Sequence, residues 1–597
     1  MEKLTAENTR RLVDCAMGRI PADLVVRNGK WVCVQSGEII PSTDIAVLDG
    51  RIAFVGDSAE HTIGEHTRII EAEGRYLSPG LLDAHMHVES GMLTVTEFVR
   101  AVAPRGTTGM FIDPHEIANV FGLKGVRLMA DEAADQPIHV FVQMPSCVPS
   151  APGLETPGAA IGPKEVAEAM QWDEIIGLGE MMNFPGVFNS DPTVHAELEE
   201  TRKAGKVIGG HYASPNLGLP FHGYVAGGAE DDHEGTTLED AVQRVRQGMK
   251  VMMRYGSAWH DVAAQVKAVT ELGLDSRHFI LCTDDSHSAT LVQEGHMDRV
   301  LRHAIAQGLK PMQAIQMATI NTAIHFGVSR DLGMIAPGRF ADIVIVEDLA
   351  NFRADLVIAK GQVIANDGKL LVELPVYAYP DWAIHSVRLK RPLTPADFDL
   401  VVQYPQNGKA SANVIGVIEN QAPTRHLKRE VQIVGGKVKI AGEVDLAKIA
   451  LVERHHASGV VQVGLVSGFG FDQKCAIATT VAHDSHHMIV VGTDEALMAQ
   501  AANHLAEVGG GQVVIKDGQI IGKVHLPIAG LMSNKRAEVV AAEADSVLQG
   551  FKACGCPLNN PNMQLSLLAL VVIPALRISD RGLVDVTQFR FLPVVES

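Results

Sequence analysis

The sequence predicts an α/β protein: a (β/α)8 barrel over residues 80–330, a small flanking β-sandwich built from both sides of it, and a C-terminal α+β domain. Two observations carry this expectation. Eight short apolar runs alternate with helix-like stretches through the central block, which is the number that a (β/α)8 barrel requires. Hairpin-rich β segments stand on either side of that block, as though a small domain were interrupted by a larger one. At 597 residues the chain is also too long for a single core.

The N-terminus, "MEKLTAENTRRLVDCAMG", carries acids and lacks an apolar h-region, so no signal peptide is expected. It is read as a helix attached to the first β segment. "DLVVRNGKWVC", "DIAVLDGRIAFVGD" and "RIIEAEGRYL" alternate apolar and polar residues, and Asn28-Gly29 and Asp49-Gly50 are hairpin turn signals. The pattern returns in "GRFADIVIVEDL" and "ADLVIAKGQVIANDGK", so 1–79 and 331–384 are taken as one discontinuous domain. The barrel strands are expected in "GLLDAHMHV", "TTGMFIDPH", "IHVFVQMPS", "EIIGLGEMM", "KVIGGHYA", "YVAGGAEDDH", "KVMMRYG" and "HFILCTDDS". A doubly wound sheet is the alternative, but no Gly-rich dinucleotide fingerprint follows the first strand. Residues 385–597 hold their own strands ("VQIVGGKVKIAGEV", "HHMIVVGTD", "GGQVVIKDGQII") and a helix, "DEALMAQAANHLAEVG".

Bulk properties narrow the partners. A formal charge of −19 offers no basic stripe for nucleic acid. The seven cysteines are scattered and odd in number, which suits a reducing cytoplasm, and Cys554-Gly-Cys556 is read as structural. The most apolar segment, 565–576, is short and broken by Pro574, so no membrane span is expected.

Chemistry gathers at the C-terminal ends of the strands, where such barrels build their active sites. His85 and His87 are two apart on the first strand and so share a face. Glu180 ends the fourth, His211 the fifth, His233 the sixth and Asp284 the eighth. Four imidazoles and two carboxylates are too many for one tetrahedral metal and suit two divalent cations bridged by a carboxylate. Asp113, His115 and Glu116 end the second strand, where they shape a pocket, bind a further cation or cap a helix. His483, Asp484 and His486 lie in a dense "HDSHH" that closes over the barrel, holds an accessory metal or sits on a solvated loop. The loop Met182–Pro185 lines a pocket or simply packs. Arg254, in "MMRYGSAWHDV", touches substrate or supports the barrel.

With these motifs the sequence resembles the amidohydrolase superfamily and, within it, the bacterial adenine deaminase family. The resemblance covers nearly the whole chain, through "PGLLDAHMHVESGMLT", "DPHEIANVFG", "PSCVPS", "GLGEMMNFPGV", "DDHEGTTLEDA", "EGHMDRV", "AIQMATINTAIHFG", "GFGFDQKCAIATTVAHDSHHMIVVG" and "LPIAGLMS". It implies hydrolytic deamination of adenine to hypoxanthine and ammonia, a purine-salvage reaction in which a metal-bridged hydroxide attacks C6. It also implies that His85, His87 and Asp284 hold one metal and His211 and His233 the other, with Glu180 bridging. Mn2+ or Fe2+ is expected from the family, and the mixed ligand set is compatible with Zn2+.

On that reading Asp284 takes and delivers the proton. Glu234 is either the acid toward the ring nitrogen or a carboxylate that orients a histidine, and Asp285 is a candidate supporting partner. A cytoplasmic homo-oligomer, a homodimer, with a small-molecule substrate is expected. The rival keeps the metals and changes the substrate to a cyclic amide or an N-acetyl amino sugar. His195-Ala-Glu197 matches half of the H-x-E…P-C-x-x-C signature of another deaminase fold, but the second half is missing and the triplet is expected at a helix surface.

Overall fold

The computed structural model describes residues 4–596 apart from 258, 404, 420 and 441–444. The chain forms two compact units: Met1–Pro114, Arg127–Ser146 and Gly162–Tyr377 make the first, and His115–Val126, Cys147–Ile161 and Ala378–Ser597 the second.

The first unit holds the curled parallel sheet of an α/β barrel. Strands Leu81–His87, Thr107–Ile112, His139–Met144, Ile175–Met181 and Val207–Gly210 pair in parallel in chain order. Asp231–Asp232, Lys250–Arg254 and Phe279–Cys282 form a second parallel set. The continuation of the eighth strand, Asp284–Asp285, pairs with the first. Between the fifth and sixth strands the chain closes by single bonds: the Glu230 N–H donates to the Ile208 carbonyl (2.9 Å) and the Gly210 N–H to Asp231 Oδ1 (2.9 Å). Each strand lies within its expected run, although "YVAG" of the sixth is the end of a helix, Leu219–Gly227. Inside, Leu82, Phe111, Phe141, Met252 and Ile280 make an apolar floor, with Phe111 stacked on Phe326 at 4.0 Å.

The β segments on both sides of the barrel join in one nine-stranded sheet. The seam is the antiparallel pair Ile343–Val346 with Tyr76–Pro79. Helix Ala6–Ala16 buries Leu12 and Cys15 against Val25, Ala46 and Leu48. Asp49-Gly50 is a turn between Glu38–Leu48 and Arg51–Gly56, as expected. Asn28-Gly29 is not a hairpin. It lies inside strand Leu24–Cys33 as an irregularity of register, with Asn28 at φ +54° and its N–H held by Asp44. A residue tolerant of positive φ followed by glycine serves a bulge as well as a turn.

The second unit also has a nine-stranded sheet. Helix Glu495–Val508, capped by Asp494, lays Met498, Ala501, Ala502 and Leu505 on it. "VQIVGGKVKI" is the hairpin of Arg425–Val434 with Lys437–Lys439; the rest of that expected strand, 441–444, falls outside the described residues. The helix after the second barrel strand, His115–Phe121, belongs to this unit and not to the barrel where the sequence puts it. Phe121 packs edge-on against Trp382 at 4.9 Å, and the Asn119 carbonyl accepts the Gly158 N–H at 2.7 Å. Among the described residues no helix is long and apolar enough to cross a membrane.

A Cβ added to Gly210 would lie 1.9 Å from the Asp231 carbonyl oxygen, which is backbone and has no rotamer to escape into. Gly210→Ala should therefore destabilise the protein by about 1–3 kcal/mol, read from chemical denaturation. An unchanged midpoint would mean that the fifth and sixth strands separate easily.

Candidate metal centre

Six ligand-type side chains, carried to the barrel mouth by the ends of five strands, converge in the first unit. Glu180 stands between two halves. Its Oε1 lies 3.7 Å from His87 Nε2, whereas Oε2 lies 3.1 Å from His233 Nε2 and contacts His211 Nδ1. On the other side Asp284 Oδ1 is 3.2 Å from His87 Nε2 and 3.9 Å from His85 Nε2. His85 stacks on His233 at 4.0 Å and meets His87 edge-on. His85, His87 and Glu180 form one set close enough to share an ion; Glu180, His211 and His233 form another, and His87, Asp284 and Asp285 a third.

The donor chemistry fits metal ions. The His87 Nδ1–H donates to the Asp113 carbonyl at 2.8 Å, which turns Nε2 toward the carboxylates. His85 Nε2 is buried and has no hydrogen-bond partner. Burial and the neighbouring His233 and His87 keep His85 well below its usual pKa and hence neutral. Burial works against charge on His87 as well, but Asp284 and Glu180 outweigh it and raise its pKa. His211 is likewise raised to about 9 against burial, by Glu234 and Glu180.

Carboxylates one layer deeper fix the ligand-bearing backbone, and the sequence reading missed most of them. Asp113 Oδ2 accepts the N–H of Glu180 itself (2.9 Å). Asp231 Oδ1 holds the Gly210 N–H, and Asp232 Oδ2 the Tyr212 N–H (2.6 Å), so the amides flanking His211 are both pinned. Asp83 takes the Thr283 N–H and hydroxyl, next to Asp284, and His296 Nε2 lies 3.0 Å from it. The letters did carry a signal: Asp83 and Asp231 each stand two residues before a histidine and therefore on the same strand face.

Arg254 is buried among three acids. Its Nη1 donates to Asp284 Oδ2 (2.9 Å) and to Glu234, and its Nε to Asp261 Oδ2 (2.9 Å). Burial would raise the Glu234 carboxyl, but Arg254, His211 and His233 outweigh it and hold it at about 2. Asp285 is tied to the Ser90 hydroxyl and to Trp259 Nε1 (3.1 Å). The Asn183 side chain caps helix Phe184–Phe188, which gives the Met182–Pro185 loop a structural task.

His115, Glu116, His483, Asp484 and His486 belong to the second unit. There Glu116, His483 and His486 bring ligand atoms within 4.8 Å of one another. The Ala482 N–H donates to His486 Nδ1 (3.2 Å), so in the neutral ring Nε2 carries the proton. That nitrogen, 4.0 Å from Glu116 Oε2, is a hydrogen-bond donor and a poor metal ligand. Asp484 lies near Glu155, which burial and Asp484 push up to about 7. In the His195-Ala-Glu197 triplet, Glu197 is buried and not at the surface as expected. Burial raises its carboxyl to about 8, with Asp191 adding to the effect.

Two family models match the chain: the amidohydrolase family over residues 76–364 and the adenine deaminase C-terminal domain over 421–590. "Adenine deaminase 3" of Rhizobium meliloti is 60% identical over 590 residues, covering 99% of each chain. An adenine deaminase of Mesorhizobium japonicum is 61% identical, covering 98% of this chain and 96% of its own. One from Moorella thermoacetica is 52% identical, covering 99% of this chain and 98% of its own. With such identity sustained from end to end, and with the barrel mouth arranged as described, the chain belongs to the adenine deaminase family of the amidohydrolases.

Proposed function

We infer that the chain hydrolyses adenine to hypoxanthine and ammonia at a centre of two divalent cations. The observation that carries the reading is Glu180, whose two oxygens face the two histidine sets, in a chain whose full-length relatives are named adenine deaminases. His85, His87 and Asp284 would hold one ion, His211 and His233 the other, and Glu180 both. Mn2+ or Fe2+ is favoured by the family resemblance, and Zn2+ suits the same ligands. When bound, such ions supply Lewis acidity that makes hydroxide available near neutral pH.

This chain's own groups do the rest. Asp284 Oδ1 accepts the proton released as hydroxide adds to C6, and returns it to the amino nitrogen, which leaves as ammonia. The ring nitrogen gains the second proton of the water. Glu234 lies 3.9 Å from His211 Nδ1 and 3.7 Å from His233 Nε2 and is paired with Arg254. That setting favours a carboxylate that orients these rings over an acid that protonates the base. The same reading takes 1–79 with 331–384 as the small β-sandwich domain, 80–330 as the catalytic barrel and 385–597 as the C-terminal α+β domain. It makes the enzyme a cytoplasmic homodimer of purine salvage.

Metal-stripped protein titrated with Mn2+ should gain adenine turnover that saturates near two equivalents, with hypoxanthine and ammonia released one for one. Glu180→Gln should lower bound metal, measured by elemental analysis, together with activity. Two tightly bound ions without adenine turnover would overturn the substrate and direct the search to cyclic amides and N-acetyl amino sugars. In the metal-free protein Glu234 sits near 2, below its ordinary 4.5. Its stabilising contribution is therefore complete above pH 4.5 and is lost as pH falls toward 2. The gap in Tm between wild type and Glu234→Gln should shrink from pH 6 to pH 3; a constant gap would refute the pairing.

A further inference from the structure

Arg254 ends the seventh barrel strand with its side chain 2% exposed. We propose that Arg254 is a positioning residue that divides the two oxygens of Asp284: the guanidinium holds Oδ2, so Oδ1 alone is presented to His85 and His87. The inference rests on Asp284 working in the reaction proposed above, and it assigns the orientation of that carboxylate to a residue on a different strand.

The two oxygens of Asp284 stand in different surroundings. Oδ2 accepts from Arg254 Nη1 at 2.9 Å, a charge-assisted bond and so among the stronger kinds. Oδ1 is 3.2 Å from His87 Nε2 and 3.9 Å from His85 Nε2. A carboxylate turns readily about its last torsion, and nothing in an aspartate itself makes one oxygen differ from the other. The guanidinium breaks that symmetry, and it can do so because it is fixed. Its Nε is held by Asp261 at 2.9 Å, and its carbon lies 5.2 Å from the centre of the Trp259 ring. The same Nη1 that holds Asp284 also donates to Glu234. One planar group therefore sets both acids relative to each other, which a flexible ammonium would do poorly. Without it, both oxygens of Asp284 are free to turn toward the histidine side, and Glu234 loses its shared tether.

The test uses the full-length protein loaded with two equivalents of Co2+ and, separately, of Mn2+. The variants are Arg254→Ala and Asp261→Asn, each compared with wild type. The visible spectrum of the Co2+ form reports the orientation of Asp284 whether or not adenine is the substrate. For Arg254→Ala the expected result is an altered spectrum, a kcat for adenine lower by about 100-fold, and KM within about threefold, because misplacing a reacting group by an ångström costs about that much. Added guanidinium should restore both spectrum and kcat. Asp261→Asn leaves Arg254 in place but loosens it, and should shift the same spectrum while lowering kcat by about tenfold.

A folded Arg254→Ala with a wild-type spectrum and kcat would overturn the proposal, and so would a defect that guanidinium leaves untouched. If Arg254→Ala does not fold, an unchanged spectrum and kcat in Asp261→Asn overturns it equally. Failure of the adenine reading would appear instead as an inactive wild type, with the spectra still deciding the role of Arg254.

Discussion

Buried carboxylates that grip the backbone N–H groups of other strands fix the mouth of this barrel, and the arrangement of its ligand-type side chains depends on them. Where a parallel ladder runs out, the next amide has no strand partner, and leaving it buried and unbonded costs about 1–3 kcal/mol. Asp113 takes the amide of Glu180, Asp231 and Asp232 take those on either side of His211, and Asp83 takes that of Thr283. The fifth and eighth strands are thus bonded to their neighbours, and the fourth to the second two places away, at the level of the candidate metal site and not only along their length. Close approach is possible because glycines stand opposite: a Cβ at Gly179 would come within 2.1 Å of Asp113 Oδ2.

Such a design concentrates negative charge, and that charge acts on the imidazoles around it. Asp284 and Glu180 raise the pKa values of His87 and His233 in spite of burial, and Glu234 and Glu180 that of His211. In a protein without metal, protons on those rings would take the place that ions would otherwise occupy. His85, stacked on His233, stays neutral and keeps its lone pair. Farther out, Arg254 balances Asp284, Glu234 and Asp261. Positive charge is therefore built into the site by Arg254, which the three acids share.

How much of this was legible follows from the range of each interaction. The pairing of His85 with His87 and the strand-end placing of Glu180, His211, His233 and Asp284 follow from a period of two and from barrel topology, both local in the letters. The anchors Asp83 and Asp231 were visible in part, as acids two before a histidine. Asn28-Gly29 misled because the same dipeptide serves a bulge and a turn. The membership of His115–Phe121 in the second unit depends on Trp382, more than 250 positions away, and no local pattern announces it. Whether His486 can bind a metal depends on the proton at Nε2, which the Ala482 N–H places there by donating to Nδ1.

Asp284 shows how the same backbone control reaches a single side chain. The eighth strand pairs with the seventh through Phe279–Cys282 and then with the first through Asp284–Asp285. At the start of the second pairing Asp284 adopts φ +60°, a conformation uncommon for a residue with a Cβ and least unfavourable for aspartate and asparagine. The turn of the chain is fixed from outside, since Asp83 of the first strand holds both the amide and the hydroxyl of Thr283. It brings Asp284 into register with Met86, between the two histidines of the first strand. Closing the ring and delivering the carboxylate to His85 and His87 are therefore one structural event, and an aspartate at this position serves the backbone as well as the candidate site.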